Sequence, residues 1–400
     1  MGERAVTGEG PVRIGRGRRH RLPTGAHVAE ALVDGTPVRF WSTDEPLRPR
    51  PEAFGSAVLV AAQLLGRSVA LDRSVDPRWR AGVDEVVRQA AQWWSAPGEH
   101  VAPPTARARR RGRRGPAGPG ATSVCFTGGV DSFHTVLSRR DDLDVLVLAL
   151  GYDIPLADVD RASDAEATVR EVAAAIGARA VVIRTDLLAH PLHRATSWEQ
   201  THGGPLAALA HLLDRPPARH LISASFPVSA DRPWGTHWAL DPHWSTSATA
   251  IEHVGHDHAR EEKVAAIASD PLVDRHLTVC WEHRSRDRNC GRCDKCLETL
   301  VMLRVVDVST STLRVPDDAE LARRIAALER TAYRRAHARL LAAGQVPDAV
   351  AIALRALLER TDARPSPTAD PPAGTPGAPS GRDGAHDAVD ERLDRGRVDR

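Results

Sequence analysis

The 400-residue chain is 42% hydrophobic and 26% charged, the balance of an ordinary globular protein, which excludes global disorder. Its 54 basic and 52 acidic residues leave a formal charge of +2, which argues against a wholesale polyanion binder but leaves room for local basic clusters. The strongest apolar run, Val145–Leu150, is strand-length and far below the roughly 18 residues that cross a bilayer. Met1-Gly2-Glu3-Arg4 leads into Gly and Arg rather than an apolar segment, so a secretory signal is not expected and the cytoplasm is the expected location.

At about 150 residues per domain the length implies two to three folded units. Residues 1–22, rich in Arg and Gly, read as a flexible basic arm. Residues 23–100 read as a small α+β N-terminal unit: a strand from Val28, a turn at Asp34-Gly35, a returning strand to Trp41, and a helix from Glu52 to Leu65. A second helix opens with Asp76 as N-cap and Pro77 at the first helical position. Its apolar face, Trp79, Val83, Val86, Val87, Ala90 and Trp94, belongs to a core. Residues 101–120 turn to Pro, Gly and Arg, a linker with six arginines between Arg107 and Arg114. No aromatic interleaves them to stack on bases, so a solvated loop is expected there rather than a nucleic-acid contact.

From residue 121 to 345, strands alternate with helices. Strands are expected at 123–127, 144–152, 180–185 and 220–224, and helices at 132–140, 157–176, 204–213, 295–306 and 317–343. Residues 226–260 are irregular, and a disordered tail is expected from 361 to 400. Near-continuous apolar strands separated by helices predict an α/β class, a parallel sheet covered on both faces.

Chemistry concentrates in Ser123-Val-Cys-Phe-Thr-Gly-Gly-Val-Asp-Ser132. A buried strand ends at Thr127, two glycines let backbone approach a ligand, and a helix begins near Asp131-Ser132. The unpaired N–H groups of that helix start, with the positive end of its dipole, suit a phosphate. Thr127 and Ser132 add hydroxyls, and Asp131 makes sense chiefly as a Mg²⁺ partner, because a bare carboxylate would repel the ligand. The plainer reading is a glycine-rich turn with Asp131 as an ordinary helix cap. Only two lysines, Lys263 and Lys295, occur in the chain, and neither stands in a Gly-Lys-Ser/Thr sequence, so a Walker A loop is excluded.

Of five cysteines, Cys280, Cys290, Cys293 and Cys296 fall within 17 residues, spaced C-x9-C-x2-C-x2-C. Four grouped thiolates suit tetrahedral Zn²⁺ in a structural role, ahead of an iron–sulfur cluster or disulfides. Cys125 is expected in the core.

Thr127-Gly128-Gly129-Val130-Asp131-Ser132 resembles the PP-loop, Ser-Gly-Gly-x-Asp-Ser, of the adenine nucleotide α-hydrolase-like ATP pyrophosphatases, with Thr127 in place of the usual Ser. That loop followed by Asn289-Cys-Gly-Arg-Cys-Asp-Lys-Cys296 resembles 7-cyano-7-deazaguanine synthase and its relatives over roughly residues 120–310. The resemblance implies a Rossmann-like (HUP-type) sheet with a Cys₄ zinc knuckle. It also implies ATP and Mg²⁺ bound at residues 127–132, and adenylation of a small-molecule carboxylate for attack by ammonia or an amine. Asp131, Ser132 and Lys263 are the implied catalytic residues. The synthases' substrate segment is absent, and Trp234, Asp241 and Trp244 stand in its place as candidate pocket residues, among histidines 237, 253, 256 and 258. His202-Gly203-Gly204 reads as a helix start with a possible second anion site. A PP-loop sulfurtransferase and a non-catalytic nucleotide-binding partner subunit are the alternatives. The expected partners are small molecules, with homodimerisation open, and neither nucleic acid nor membrane is among them.

Overall fold

The computed structural model describes residues 10–95, 102–108, 120–282 and 287–363. In chain order the first elements are β1 (Val12–Ile14), β2 (Arg18–Arg21), β3 (His27–Val33), β4 (Thr36–Ser42), α1 (Pro51–Leu64), β5 (Val69–Leu71) and α2 (Pro77–Trp94). There follow β6 (Thr122–Cys125), α3 (Val130–Ser138), β7 (Val145–Leu150), α4 (Val159–Ala175), β8 (Arg179–Thr185), α5 (Pro191–Arg194), α6 (Trp198–Thr201), α7 (Gly203–Leu212), β9 (Arg219–Ser223) and β10 (Ala250–Val254). The last are α8 (Arg260–Ile267), α9 (Pro271–His276), α10 (Asp294–Val305), α11 (Asp318–Ala326), α12 (Arg334–Ala342) and α13 (Asp348–Ala363).

All ten strands among the described residues join one sheet in the order β10-β9-β6-β7-β8-β4-β3-β1-β5, with β2 also on β3. The five strands from β10 to β8 are parallel. In chain order they read 5-4-1-2-3, so the winding reverses at β6. The antiparallel hairpin β3–β4 continues this sheet through Phe40 opposite Thr185 and Trp41 opposite Arg184. The N-terminal strands therefore extend the parallel sheet.

Strand alternation divides two apolar layers. On β7, Val145 and Val147 face a core with α1, α2 and α7, while Leu146, Leu148 and Leu150 face one with α3, α4, α8, α10, α11 and α13. Asp76 caps α2 by accepting from the Arg78 and Trp79 amides, and Trp79, Val83, Val86, Val87 and Ala90 are buried, as the sequence pattern predicts. Trp79 is anchored by its indole N–H donating to Ser56 Oγ at 2.9 Å.

Several expectations are corrected. Residues 12–14 and 18–21, expected in a flexible arm, are strands because β3 supplies their hydrogen-bonding edge; residues 1–9 lie outside the described residues. Of the expected linker, residues 102–108 run beside β5, with Thr105 paired to Ala70; 109–119 lie outside. The irregular stretch 226–260 contains β10, which pairs with β9. The single helix expected over 317–343 is two, because Asp294 on α10 takes the Thr331 hydroxyl and the Ala332 amide, each at 2.7 Å, and turns the chain there. Residues 361–363, expected to begin the tail, complete α13, whereas 364–400 lie outside the description.

Gly203 and Gly204 have a packing role. A Cβ on Gly204 would stand 2.1 Å from Ser56 O, and one on Gly203 2.0 Å from Gly235 O, so α7 lies against backbone on both sides. Gly204→Ala is expected to lower unfolding stability by about 1–3 kcal/mol through overpacking, measured by urea denaturation; an unchanged midpoint would contradict this close approach.

Candidate functional site

The glycine loop leaves β6 where the winding reverses, the position at which open parallel α/β sheets bind ligands. β6 is buried along its length, and Thr127 beyond it is exposed. Gly128 has φ +77°, a conformation that glycine adopts freely. Its carbonyl accepts from the Thr278 amide at 2.8 Å, which ties the loop to the segment after α9. Gly129 caps α3 without any side-chain hydrogen bond. The Ser132 hydroxyl donates back to Gly129 O at 3.0 Å and lies 3.5 Å from Thr127 Oγ1.

The amides of Gly128, Gly129, Val130, Asp131 and Ser132 have no acceptor among the described residues. Successive unpaired N–H groups at a helix start form a site for an anion.

Charge concentrates around this loop. Lys263 on α8 is buried, donating to Asp131 Oδ1 at 3.2 Å and to Ala224 O at 2.6 Å. Arg260, one turn earlier, donates to Asp131 Oδ2 at 2.7 Å and lies 3.1 Å from Glu298 Oε2 on α10. Burial opposes ionisation of Asp131, but Arg260, Lys263 and Lys295 outweigh it and hold its carboxyl below the ordinary range. Glu298 is pushed up to about 7 by burial, against Arg260 and Lys295. Burial and then Arg260 lower Lys295, while Asp131, Asp153 and Glu298 pull the other way. Three cations, Arg260, Lys263 and Lys295, and the carboxyls Asp131, Glu298 and Asp153 thus form one charge cluster beside the free amides. Next to Lys263, His134 is lowered chiefly by burial, and its Nδ1 is enclosed without a partner.

Asp131 was expected to need Mg²⁺ to avoid repelling a phosphate. The chain supplies its own counter-ions instead, and each carboxylate oxygen already faces one. Lys295, Arg260 and Glu298 escaped the sequence reading as site residues. For Lys295 a signal existed, since it is one of two lysines in the chain; Arg260 is hidden among 52 arginines, and no local pattern marks Glu298.

The four cysteine sulfurs lie within 4.8 Å of one another, close enough to bind a metal ion such as zinc. Cys280 and Cys293 are 3.9 Å apart, and Cys290 and Cys296 4.0 Å. A tetrahedron with arms of about 2.3 Å has edges of about 3.8 Å, so the spacing fits one central ion. The Cys293 amide donates to Cys290 Sγ at 3.2 Å, and Gly291 turns the knuckle at φ +64°. Cys293 is pushed down to about 4, first by the hydrogen bond with the Cys296 side chain, with burial opposing. Asn289, another residue the sequence reading left without a role, clamps the strands of chain around the cluster. Its Oδ1 accepts from Val279 and Cys280, and its Nδ2 donates to Leu277 O and Thr312 O. Cys125 is enclosed beside His220, as expected for a core residue.

The candidate pocket residues separate. Trp244 is fully buried in the core below α7, and Asp241 is fully buried, accepting from His253 Nδ1 at 2.7 Å and from the His237 amide. Neither presents a face to a ligand; Asp241 pins its loop to β10. Trp234 is half-buried, edge-on to Phe226 at 5.2 Å and to His202 at 5.8 Å. Arg232 lies over both Phe226 and Trp234 at 4.8 and 4.9 Å. His237 pairs with Asp231, His256 stacks on His253, and His258 lies 5.0 Å from His134.

No protein-family model matches the chain, and no curated protein matches its sequence.

The pairing of buried Lys263 with part-buried Asp131 sets a stability test. Asp131→Ala should cost about 3 kcal/mol, because it strands an ammonium away from water. Adding Lys263→Met should recover most of that loss in chemical denaturation, and no recovery would show that the pair is not the cause.

Proposed function

We propose that the chain is an ATP-dependent ligase-type enzyme that adenylates a small-molecule carboxylate for attack by ammonia or an amine. The observation that carries this reading is the run of five amides from Gly128 to Ser132 that have no acceptor among the described residues, beside the cations Arg260, Lys263 and Lys295. It supports a polyphosphate held at the end of β6. The 5-4-1-2-3 strand order supports the Rossmann-like reading, and the PP-loop resemblance supplies the reaction class.

In this reading a substrate carboxylate oxygen attacks the α-phosphorus of ATP, the bond to the β-phosphate oxygen breaks, and pyrophosphate leaves. The loop amides, Lys263 and Lys295 stabilise the charge that develops on it. The nitrogen nucleophile then attacks the acyl carbon, the bond to the AMP oxygen breaks, and loss of a proton leaves an amide. A nitrile requires a further activation to remove the amide oxygen. Asp131 pairs with Lys263 and Arg260 and holds them in place, and no step is assigned to Mg²⁺. Trp234 and Arg232 suit a planar acid, by stacking and by ion pairing.

At the cysteines the single-ion spacing supports structural zinc. An iron–sulfur cubane would set the four sulfurs at the outer corners of a larger cluster. The purified protein is expected to be colourless with one zinc per chain, and Cys293→Ser should lower its melting temperature; a brown protein containing iron would overturn the zinc assignment.

With ATP, ammonium and a panel of aromatic and heterocyclic acids, turnover should yield AMP and pyrophosphate. Asp131→Asn should reduce the rate at least a hundredfold while the circular-dichroism spectrum is retained. ADP as product would contradict the reading, and ATP binding without turnover across the panel would favour a nucleotide-binding subunit.

A further inference from the structure

The glycine loop has two flanks. Lys263 and Arg260 reach it from the β9 side: Lys263 donates to Ala224 O, just beyond β9, and both pair with Asp131. The other neighbour of β6 is β7, and α4 packs over β7 and β8. On that side the loop meets Thr168, which is buried on α4. A Cβ on Gly128 would stand 3.7 Å from the Thr168 methyl carbon, 3.4 Å from His276 O and 3.8 Å from Thr278 Cβ. The loop backbone therefore lies in contact with α4 and with the segment after α9.

Arg288 completes this second flank. It is half-buried on the stretch that leads into Asn289 and the cysteine cluster, and its Nη1 donates to Thr168 Oγ1 at 2.7 Å. The guanidinium is thus one threonine side chain away from Gly128. Its charge also reaches His276, which burial lowers, Glu171 raises and Arg288 lowers further. Among the described residues Thr168 is the hydrogen-bond partner of Arg288, and no carboxylate pairs with it. Glu171, one turn after Thr168 on α4, lies instead 3.2 Å from His276 Nε2. Lys263 and Arg260 share their charge with Asp131, and Arg260 with Glu298 as well. The charge of Arg288 has no such counter-ion, and one hydroxyl cannot occupy all the N–H groups of a guanidinium.

Given the polyphosphate reading of residues 127–132, on which this rests, we propose that Arg288 binds the pyrophosphate part of the nucleotide directly, from the α4 side opposite Lys263. A planar guanidinium can donate to two phosphate oxygens at once, which a lysine ammonium matches only as a point charge. Thr168 acts as a positioning residue, holding the fork beside Gly128 without neutralising it. When pyrophosphate leaves, negative charge grows on it, and a fixed cation in contact with it stabilises that charge. The α-phosphate stays with AMP, so AMP alone should not sense Arg288.

Isothermal titration calorimetry of the full chain with inorganic pyrophosphate, ATP and AMP tests this without turnover. Arg288→Gln should weaken pyrophosphate and ATP by about tenfold and leave AMP unchanged. Arg288→Lys should recover part of the loss, because it restores the charge without the fork. Thr168→Val, on a different element, should weaken pyrophosphate by about threefold, because it releases the guanidinium from its place. Unchanged pyrophosphate affinity in Arg288→Gln would overturn the proposal, and so would an equal loss for AMP. Should Arg288→Gln lower the urea midpoint, Thr168→Val decides, since it leaves the cysteine segment untouched; unchanged pyrophosphate affinity there would then overturn the proposal. If the wild-type chain forms AMP and pyrophosphate while Arg288→Gln keeps full pyrophosphate affinity, only the role of Arg288 fails. A wild-type chain that binds neither ATP nor pyrophosphate overturns the polyphosphate reading and this role together.

Discussion

Two positive side chains and one carboxylate hold the centre of this protein together. Asp131, at the start of α3, receives Lys263 and Arg260 from α8, and Arg260 reaches on to Glu298 of α10. Each group is expensive to bury alone, and each is tolerable because its neighbours are there. The chain of pairs fixes the glycine loop relative to two helices that arrive more than 120 residues later in sequence. It also places Arg260, Lys263 and Lys295 beside amides that have no acceptor among the described residues.

The cysteine cluster acts on the same centre from the other side. Cys293 caps α10, Lys295 and Glu298 follow on its first turns, and Asn289 stitches the approach to the Thr278 segment that grips Gly128. Four sulfurs spaced around one point would fix where α10 begins, and hence where Lys295 and Glu298 stand. A metal far from any reacting atom can in this way set the electrostatics of the loop. The cluster and the loop are best understood as one construction.

The sheet carries two kinds of surface. At β6, where the winding reverses, the loops after β6, β9 and β10 converge on the charge cluster. Toward the opposite edge, the β3–β4 hairpin extends the sheet and carries β1 and β2 with their arginines. The antiparallel extension is short of apolar residues on β2, whose four side chains are all exposed. Such an edge is maintained by charge, which discourages strand pairing with other chains and leaves arginines available for contact.

Local patterning in the sequence settled the parallel strands and their helices, the Asp76 cap, the glycine turn and the grouping of the cysteines, because each depends on neighbours within a few residues. The strands β1, β2 and β10 were not legible: each is short, and each exists because another strand offers it an edge. Asp241 and Trp244 looked like pocket residues from composition, yet tertiary packing encloses them, because burial is decided by α7 and β10 and not by residue type. Asp131 was legible as a candidate site residue, but its counter-ions were not, since Arg260 and Lys263 meet it only across the fold. The sequence by itself determined where the glycine turn and the helix start that follows it fall. Only the tertiary structure decided which charges surround them, because Coulomb interactions depend on distance in space and take no account of distance along the chain.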